Sequence, residues 1–257
     1  MGSALLGGVA PTLPDSSQFF LSDVFAPAAE ALRLSVGSRA IIASTAEDAV
    51  SSADVVILAV KPGDMKALCQ NVSALPQSRL FLSIAAGLTL ADLESWLGGA
   101  QRVIRSMPNT PALVGAGAAA FSRGGKATDE DAATARTILG SVGIVDEVPE
   151  KLLDAVTGLS GSGPAYGYAI VEALADGGVL MGLPRATAIR LAAQTLIGAA
   201  KMVLETGKHT GTLRDEVTSP GGTTIAGLEQ LEANGLRFAL MQAVRAATER
   251  AQELGRK

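Results

Sequence analysis

The chain has 257 residues, 48% hydrophobic and only 18% charged, with a net charge of −4. That is enough apolar material to bury a core in one or two domains, and with no basic stripe nothing points to nucleic acid as a partner. A single cysteine, Cys69, and a single histidine, His209, exclude an intrachain disulfide framework and a Cys/His zinc site, so no metal is expected.

The first stretch, "MGSALLGGVA", reads as an apolar helix. It lacks the basic n-region of a signal peptide, and a cytoplasmic location is expected. "FFLSDV" (residues 19–24) is a short strand signal with Asp23 near its end, and "APAAEALRLSV" is helical. "AIIAST" (40–45) is strand-like and "AEDAVSSA" is a short acidic-capped helix. "DVVILAV" (54–60) is a continuous apolar run, as in a parallel strand buried on both faces. Lys61-Pro62-Gly63 ends it. "DMKALCQNVSAL" reads as a helix that makes Cys69 a buried thiol, and "LFLSIAAG" (80–87) as a second buried strand. Thr89, three residues before Asp92, opens a capped helix, and "RVIRSM" and "GAGAAAFS" add two strands. Alternating strands and helices with short connections specify a doubly wound α/β sheet, whose ligand crevice lies beyond the carboxyl ends of the strands. That singles out Ser22-Asp23, Ala59-Val60-Lys61-Pro62, Ile84-Ala85-Ala86-Gly87 and Met107-Pro108-Asn109.

After about residue 147 the strand signals stop. Segments 150–157, 165–181, 185–205, 212–217, 223–233 and 236–254 read as helices, with Asn234-Gly235 as the last turn. The division is therefore an α/β domain over 1–147 and an all-α domain over 148–257. The run 164–183 is interrupted by Glu172 and Asp176, which reads as a core helix and not a membrane span of roughly 18 to 20 apolar residues. Alanine and glycine dominate the helical faces ("LAAQTLIGAAKMV", "ALMQAVRAATERAQ"), so close helix packing and a core shared with another subunit are expected. His209, in the polar "TGKHTGT" turn, reads as a solvated loop residue.

Four stretches could carry chemistry. A dinucleotide fold places G-x-G-x-x-G between its first strand and first helix, and no complete copy stands there. Asp23 lies about 20 residues after Gly2, the usual spacing from the glycine loop to the acidic residue that ends the second strand. Gly2 then reads as the third glycine of the loop, with the first strand and the other glycines preceding Met1. On that reading residues 1–257 alone bind NAD(P)H weakly. The second stretch is "TSPGGTTIAGLEQL". Ser219, Pro220 and the Gly221-Gly222 pair precede a helix start carrying Thr223 and Thr224, so free N–H groups, helix dipole and hydroxyls make a carboxylate site; an ordinary capped helix is the alternative. "GLSGSGPAYGY" is a close helix crossing or a ligand wall. "MPNTP" is a rigid turn or a crevice loop around Asn109.

Together these stretches resemble the pyrroline-5-carboxylate reductases. The residues that carry the resemblance are "LAVKP", "SIAAG", "RVIRSMPNTPALVG", "DAVTGLSGSGPAYGYAIVEALADGGVLMGLPR", "AAQTLIGAAKMVLETGKHTG" and "LRDEVTSPGGTTIAGLEQLE", from Asp54 to the C-terminus. The resemblance implies reduction of 1-pyrroline-5-carboxylate to L-proline by NADPH or NADH, on a Rossmann-like domain joined to a helical dimerisation domain. It also implies a homodimer through the C-terminal helices and higher oligomers built from dimers, with a small-molecule substrate and no membrane partner. Ala59, Val60, Lys61, Pro62, Ile84, Ala85 and Ala86 would line the nicotinamide side with Asn109 near it. Gly2 would lie at the pyrophosphate and Ser22 at the adenosine ribose or its phosphate. Ser219, Gly222, Thr223 and Thr224 would hold the substrate, with Glu150 approaching it from the start of the helical domain, and Thr224 is the candidate to hydrogen-bond the ring nitrogen. Two departures stand out: Ala46 where relatives often carry Asn, and no Arg or Lys around Asp23, which disfavours a 2′-phosphate. The competing readings are a related imine or β-hydroxyacid reductase, which should lack "SPGGTT", and a homologue that dimerises without binding cofactor.

Overall fold

A computed structural model of the chain describes residues 1–75 and 77–255. It divides into two compact units, one holding Met1–Ser162 together with the chain from Arg245 on, the other Gly163–Val244.

In the first unit, helix α1 (Gly2–Val9) is followed by β1 (Phe19–Leu21), α2 (Ala26–Val36), β2 (Ala40–Ile42) and α3 (Ala46–Ser51). Then come β3 (Val55–Leu58), α4 (Pro62–Val72), β4 (Leu80–Ser83), α5 (Leu90–Leu97) and β5 (Arg102–Met107). A 3₁₀ turn (Thr110–Val114) leads to β6 (Gly117–Arg123), α6 (Asp129–Gly140) and β7 (Gly143–Glu147). Strands β1 and β2 pair in parallel as a sheet of their own. The other five form a sheet in the order β3-β4-β5-β6-β7, parallel throughout except at β5–β6. The doubly wound expectation holds, with one antiparallel pair that the strand signals alone do not encode.

The period of two along the strands sorts side chains onto two faces. Leu80 and Leu82 of β4 and Ile104 of β5 join Leu5, Leu6 and Val9 of α1 and Ile138 and Leu139 of α6 around Phe121. Phe81 and Val103 point the other way, to Met65, Cys69 and Val72 of α4 and Leu90, Leu93 and Leu97 of α5. Phe19 and Leu21 of β1 and Val55 and Ile57 of β3 pack against the same α1/α6 cluster, so the two sheets share one core without sharing a ladder.

Local chemistry fixes the helix starts. Thr89 and Asp92 form the expected capping box on α5, and Thr128 and Asp131 form an equivalent box on α6, worth about 1 kcal/mol each. Helix α6 and strand β7 were absent from the sequence expectations. The Thr128–Asp131 spacing was the available signal for the first, and the alternating "GIVDE" for the second.

In the second unit, α8 (Gly163–Leu180), α9 (Arg185–Thr206), α10 (Thr210–Glu216), α11 (Thr223–Ala233) and the first part of α12 (Leu236–Gly255) follow the short α7 (Leu153–Val156) of the first. Its buried cluster is small: Ala175, Ala188 and Ala192, with Val171 and Val179 partly buried around them. Tyr166 Oη donates to the Ala243 carbonyl (3.3 Å), tying α8 to α12. Leu180, Met181, Phe238 and Met241 stand exposed, and the 22-residue α9 buries only Ala188 and Ala192.

Candidate active site

The first unit gathers the residues that the strand ends singled out. Gly2 begins α1, and a Cβ built on it would lie 3.1 Å from Ala59 Cβ. The start of α1 therefore sits against the carboxyl end of β3 with no room for a larger side chain without a shift. The first N–H groups of that helix have no intrahelical partner, and no side chain caps them, so they suit an anion held by the backbone. These features fit a dinucleotide's pyrophosphate.

Beyond β3, Ala59, Val60, Lys61 and Pro62 are exposed, with Pro62 opening α4. Ile84 N–H donates to the Leu58 carbonyl (3.2 Å), which sets the Ile84-Ala85-Ala86 loop beside that segment. Ala86 is exposed and Ala85 is buried in the α4/α5 cluster, so Ala85 can offer a ligand its backbone only. Ser22 lies exposed just past β1. Its neighbour Asp23 accepts the Phe25 N–H at 2.8 Å, an Asx-type turn that shapes the entry to α2.

Asn109 is buried, and its amide is spent on the protein. Oδ1 accepts the Ala118 N–H (2.9 Å), and Nδ2 donates to the Ser160 carbonyl (3.0 Å). It thereby latches the loop after β5 to β6 and to a π-helical turn, Thr157–Gly161. The side chain expected near the nicotinamide thus braces the loop that carries it.

Glu150, expected to approach the substrate, has partners within the chain. Its Oε1 accepts the Leu90 N–H at 2.6 Å and Arg105 Nη1–H at 3.1 Å. One carboxylate oxygen is thus engaged within the chain, because a buried guanidinium and the first N–H of a helix both require an acceptor. Arg105, read only as part of a strand, is a site-shaping residue that sequence reasoning missed; a charge within the apolar run "RVIRSM" was its signal. A concavity of about 560 Å³ opens beside Glu150, lined by Ser122, Arg123, Arg136 and Glu147 among others. Arg123 and Arg136 are both paired with Glu147 there, so it presents no free cation to a ligand.

The second unit carries the Ser219-Pro220-Gly221-Gly222 turn and α11. Gly221 has φ +66°, a conformation that favours glycine, and a Cβ on Gly222 would lie 2.3 Å from Ser219 Oγ and 3.1 Å from its carbonyl oxygen, so a larger residue there must displace the serine side chain. Gly222 is the N-cap of α11 and provides no side-chain cap, and no acidic residue stands in the first turn. Helix dipole and free N–H groups are left uncompensated, and among the described residues no partner takes the Thr224 hydroxyl. The loop histidine is accounted for: His209 Nδ1 accepts the Gly211 N–H at the start of α10.

Two family models match the chain: pyrroline-5-carboxylate reductase dimerisation over residues 150–254, and NADP oxidoreductase, coenzyme F420-dependent, over residues 1–87. A pyrroline-5-carboxylate reductase of Arabidopsis thaliana is 53% identical over 212 residues, 82% of this chain and 76% of that protein. Among solved structures, a pyrroline-5-carboxylate reductase of Coxiella burnetii superposes with a TM-score of 0.92 at 35% identity, covering 98% of this chain and 94% of that one. A Plasmodium falciparum pyrroline carboxylate reductase solved with NADP bound gives 0.83 at 32% identity, covering 99% and 94%.

Proposed function

The chain belongs to the pyrroline-5-carboxylate reductase family, and from that premise we propose how its parts divide the reaction. It reduces 1-pyrroline-5-carboxylate to L-proline with NAD(P)H, the last step of proline synthesis, and works as a homodimer or larger oligomer. The dinucleotide domain (1–147) orients the cofactor, the helical domain (148–257) holds the substrate and the partner subunit, and the reaction belongs in the cytoplasm.

The bound nicotinamide supplies a hydride to the imine carbon. The C=N π pair then becomes the amine lone pair, so one hydride at carbon and one proton at nitrogen give proline. A protonated imine is already electrophilic, and orientation contributes more than acid strength. That suits a residue set without histidine, thiolate or metal ligands at the reacting atoms. The N–H groups at the start of α11 take the substrate carboxylate. Ser219 and Thr223 border that anion, and Thr224 hydrogen-bonds the ring nitrogen. In the dinucleotide domain, the start of α1 at Gly2 holds the pyrophosphate, Ser22 meets the adenosine ribose or its phosphate, and residues 59–62 and 84–86 flank the nicotinamide.

The observation that carries this reading is the uncompensated N-terminus of α11 behind a glycine pair. The test is proline formation by the full chain with each cofactor, compared with Thr224→Val and Thr224→Ser. The valine variant should lose roughly tenfold to a hundredfold in kcat and the serine variant much less. Equal activity of wild type and Thr224→Val removes Thr224 from the chemistry. A second reading, a dimer that binds cofactor weakly, is favoured by one observation: β1–β2 is not laddered to β3. Fluorescence titration with NADPH separates the two, micromolar affinity supporting the enzyme.

A further inference from the structure

We propose that Glu150, clamped by Arg105, is a positioning residue for the loop that carries Ile84-Ala85-Ala86; this rests on the assignment of that loop to the nicotinamide. Arg105 lies in β5 with its side chain only 8% exposed. A guanidinium so placed demands paired acceptors. It finds Glu150 Oε1 at 3.1 Å and Asp154 Oδ1 at 3.3 Å, on either side of the start of α7.

The same Glu150 oxygen reaches across to the first residue of α5. The N-terminus of α5 has several N–H groups to satisfy. Thr89 Oγ1 takes that of Asp92, and Glu150 takes that of Leu90 at 2.6 Å. A carboxylate at this end also complements the helix dipole. The loop between Ser83 and Leu90 is therefore pinned at both ends. At its start Ser106 Oγ donates to the Ser83 carbonyl (2.8 Å), Ala85 N–H donates to Ser83 Oγ (3.3 Å), and Ile84 N–H donates to Leu58 O. At its end Leu88 and Leu90 pack into the α4/α5 cluster and Gly87 lies beside Leu254 and Gly255, but among the described residues the side-chain hydrogen bond from outside the capping box comes from Glu150. Between the two lies Gly87, at φ +76°, a turn that cannot stiffen the loop by itself.

Removing the pin would let the loop drift, and a shift of about 1 Å in a reacting group can cost up to about a hundredfold in rate. A glutamine keeps an acceptor for the Leu90 N–H and an alanine does not, so the two variants separate positioning from charge. In Glu150→Ala, kcat should fall roughly tenfold and the dissociation constant for NADPH should rise severalfold, with the KM for the imine acid changed less than twofold. Glu150→Gln should recover most of the loss. Thermal melting of each variant checks that it folds, and the glutamine variant keeps the test open where the alanine variant does not.

The opposite pattern overturns the proposal. A Glu150→Gln variant as impaired as Glu150→Ala, with the KM for the imine acid raised and NADPH binding intact, makes Glu150 a substrate ligand. NADPH titration needs no turnover. If wild type binds NADPH but produces no proline, the assigned reaction fails; if it turns over and neither variant shifts NADPH binding, the positioning role fails.

Discussion

The two units solve the burial problem in opposite ways. In the first, Phe81, Phe121, Leu93, Leu97 and Ile104 are fully enclosed by helices on both faces of the sheet. In the second, five helical segments enclose only three alanines between α8 and α9, while Phe238 is 66%, Met241 68% and Leu180 85% exposed. Both draw on a similar stock of alanine, leucine and valine. The difference is therefore one of arrangement: the sheet presents large side chains to its own helices, and the helical unit presents them outward. An apolar surface of that kind calls for cover, and a second copy of the same face is the cover we propose for it.

The largest expected effect lies where the first unit is densest. Phe121 sits on β6 with no exposed surface, and Phe121→Ala should cost about 3–5 kcal/mol in urea unfolding, a large part of a domain's usual 5–15 kcal/mol. A cost near zero would mean that the α1/α6 face is loosely packed, and the contrast between the units would dissolve.

The second unit should respond in assembly instead. Phe238→Glu combined with Met241→Glu adds charge to a face already in water, so the monomer fold should survive. The homodimer, which we place through these helices, should dissociate, each lost anchor contributing about 2 kcal/mol. Light scattering at micromolar concentration should report monomer, and the melting temperature of wild type, not of the variant, should rise with protein concentration. A dimeric double variant would move the interface elsewhere.

A smaller effect is expected at Arg79, a polar closure of the first unit. Its Nε and Nη2 donate to the Val50 and Ser51 carbonyls at the end of α3 (2.6 and 2.5 Å), and its own N–H donates to Gln101 Oε1 at 2.8 Å. Arg79→Ala strands two helix-end carbonyls and removes a cation from the negative end of the dipole, at about 1–3 kcal/mol. Thermal melting measures it. An unshifted midpoint would show that water satisfies those carbonyls, and that this end of the unit is as open as the helical faces.

What was legible in the sequence follows the range of the interaction. Strand β4 and the Thr89–Asp92 cap are local patterns, a continuous apolar run and a three-residue spacing, and both stand as read. The SPGGTT turn was legible as a helix start because its glycines and missing acid are neighbours in the chain. Helix α6 is legible in principle through the three-residue spacing of Thr128 and Asp131. The antiparallel turn of β6 and the partners of Glu150 were not legible. The bonds of Glu150 join residues 45 and 60 positions apart, and no local spacing encodes which acceptor a buried arginine will find. Asn109 fails the same way, since its acceptor at Ser160 lies 51 residues on. For both, the resemblance to known reductases implies a place near the site, and the hydrogen bonds that hold the side chain are long-range ones.

The smallest expected effect tests whether the α4/α5 face of the first unit is as closed as the comparison requires. Cys69 is fully buried there among Met65, Leu93 and Leu97, and burial pushes its thiol up to about 11 from 9.0. Desolvation penalises the thiolate and leaves the neutral thiol untouched. Below pH 9 neither folded nor unfolded chain ionises the thiol, so it has no influence on stability at neutral pH. As pH rises from about 9 to 11 the unfolded chain loses this proton first, and the folded state loses stability over that window. With a pKa of about 11, only about one thiol in a thousand is ionised at pH 8, so alkylation by iodoacetamide should be negligible until denaturant is added. It should then be complete at one site per chain. Rapid labelling of the native protein at pH 8 would reveal frequent local opening between α4 and α5. The first unit would then share the openness of the second, and the two would differ in degree only.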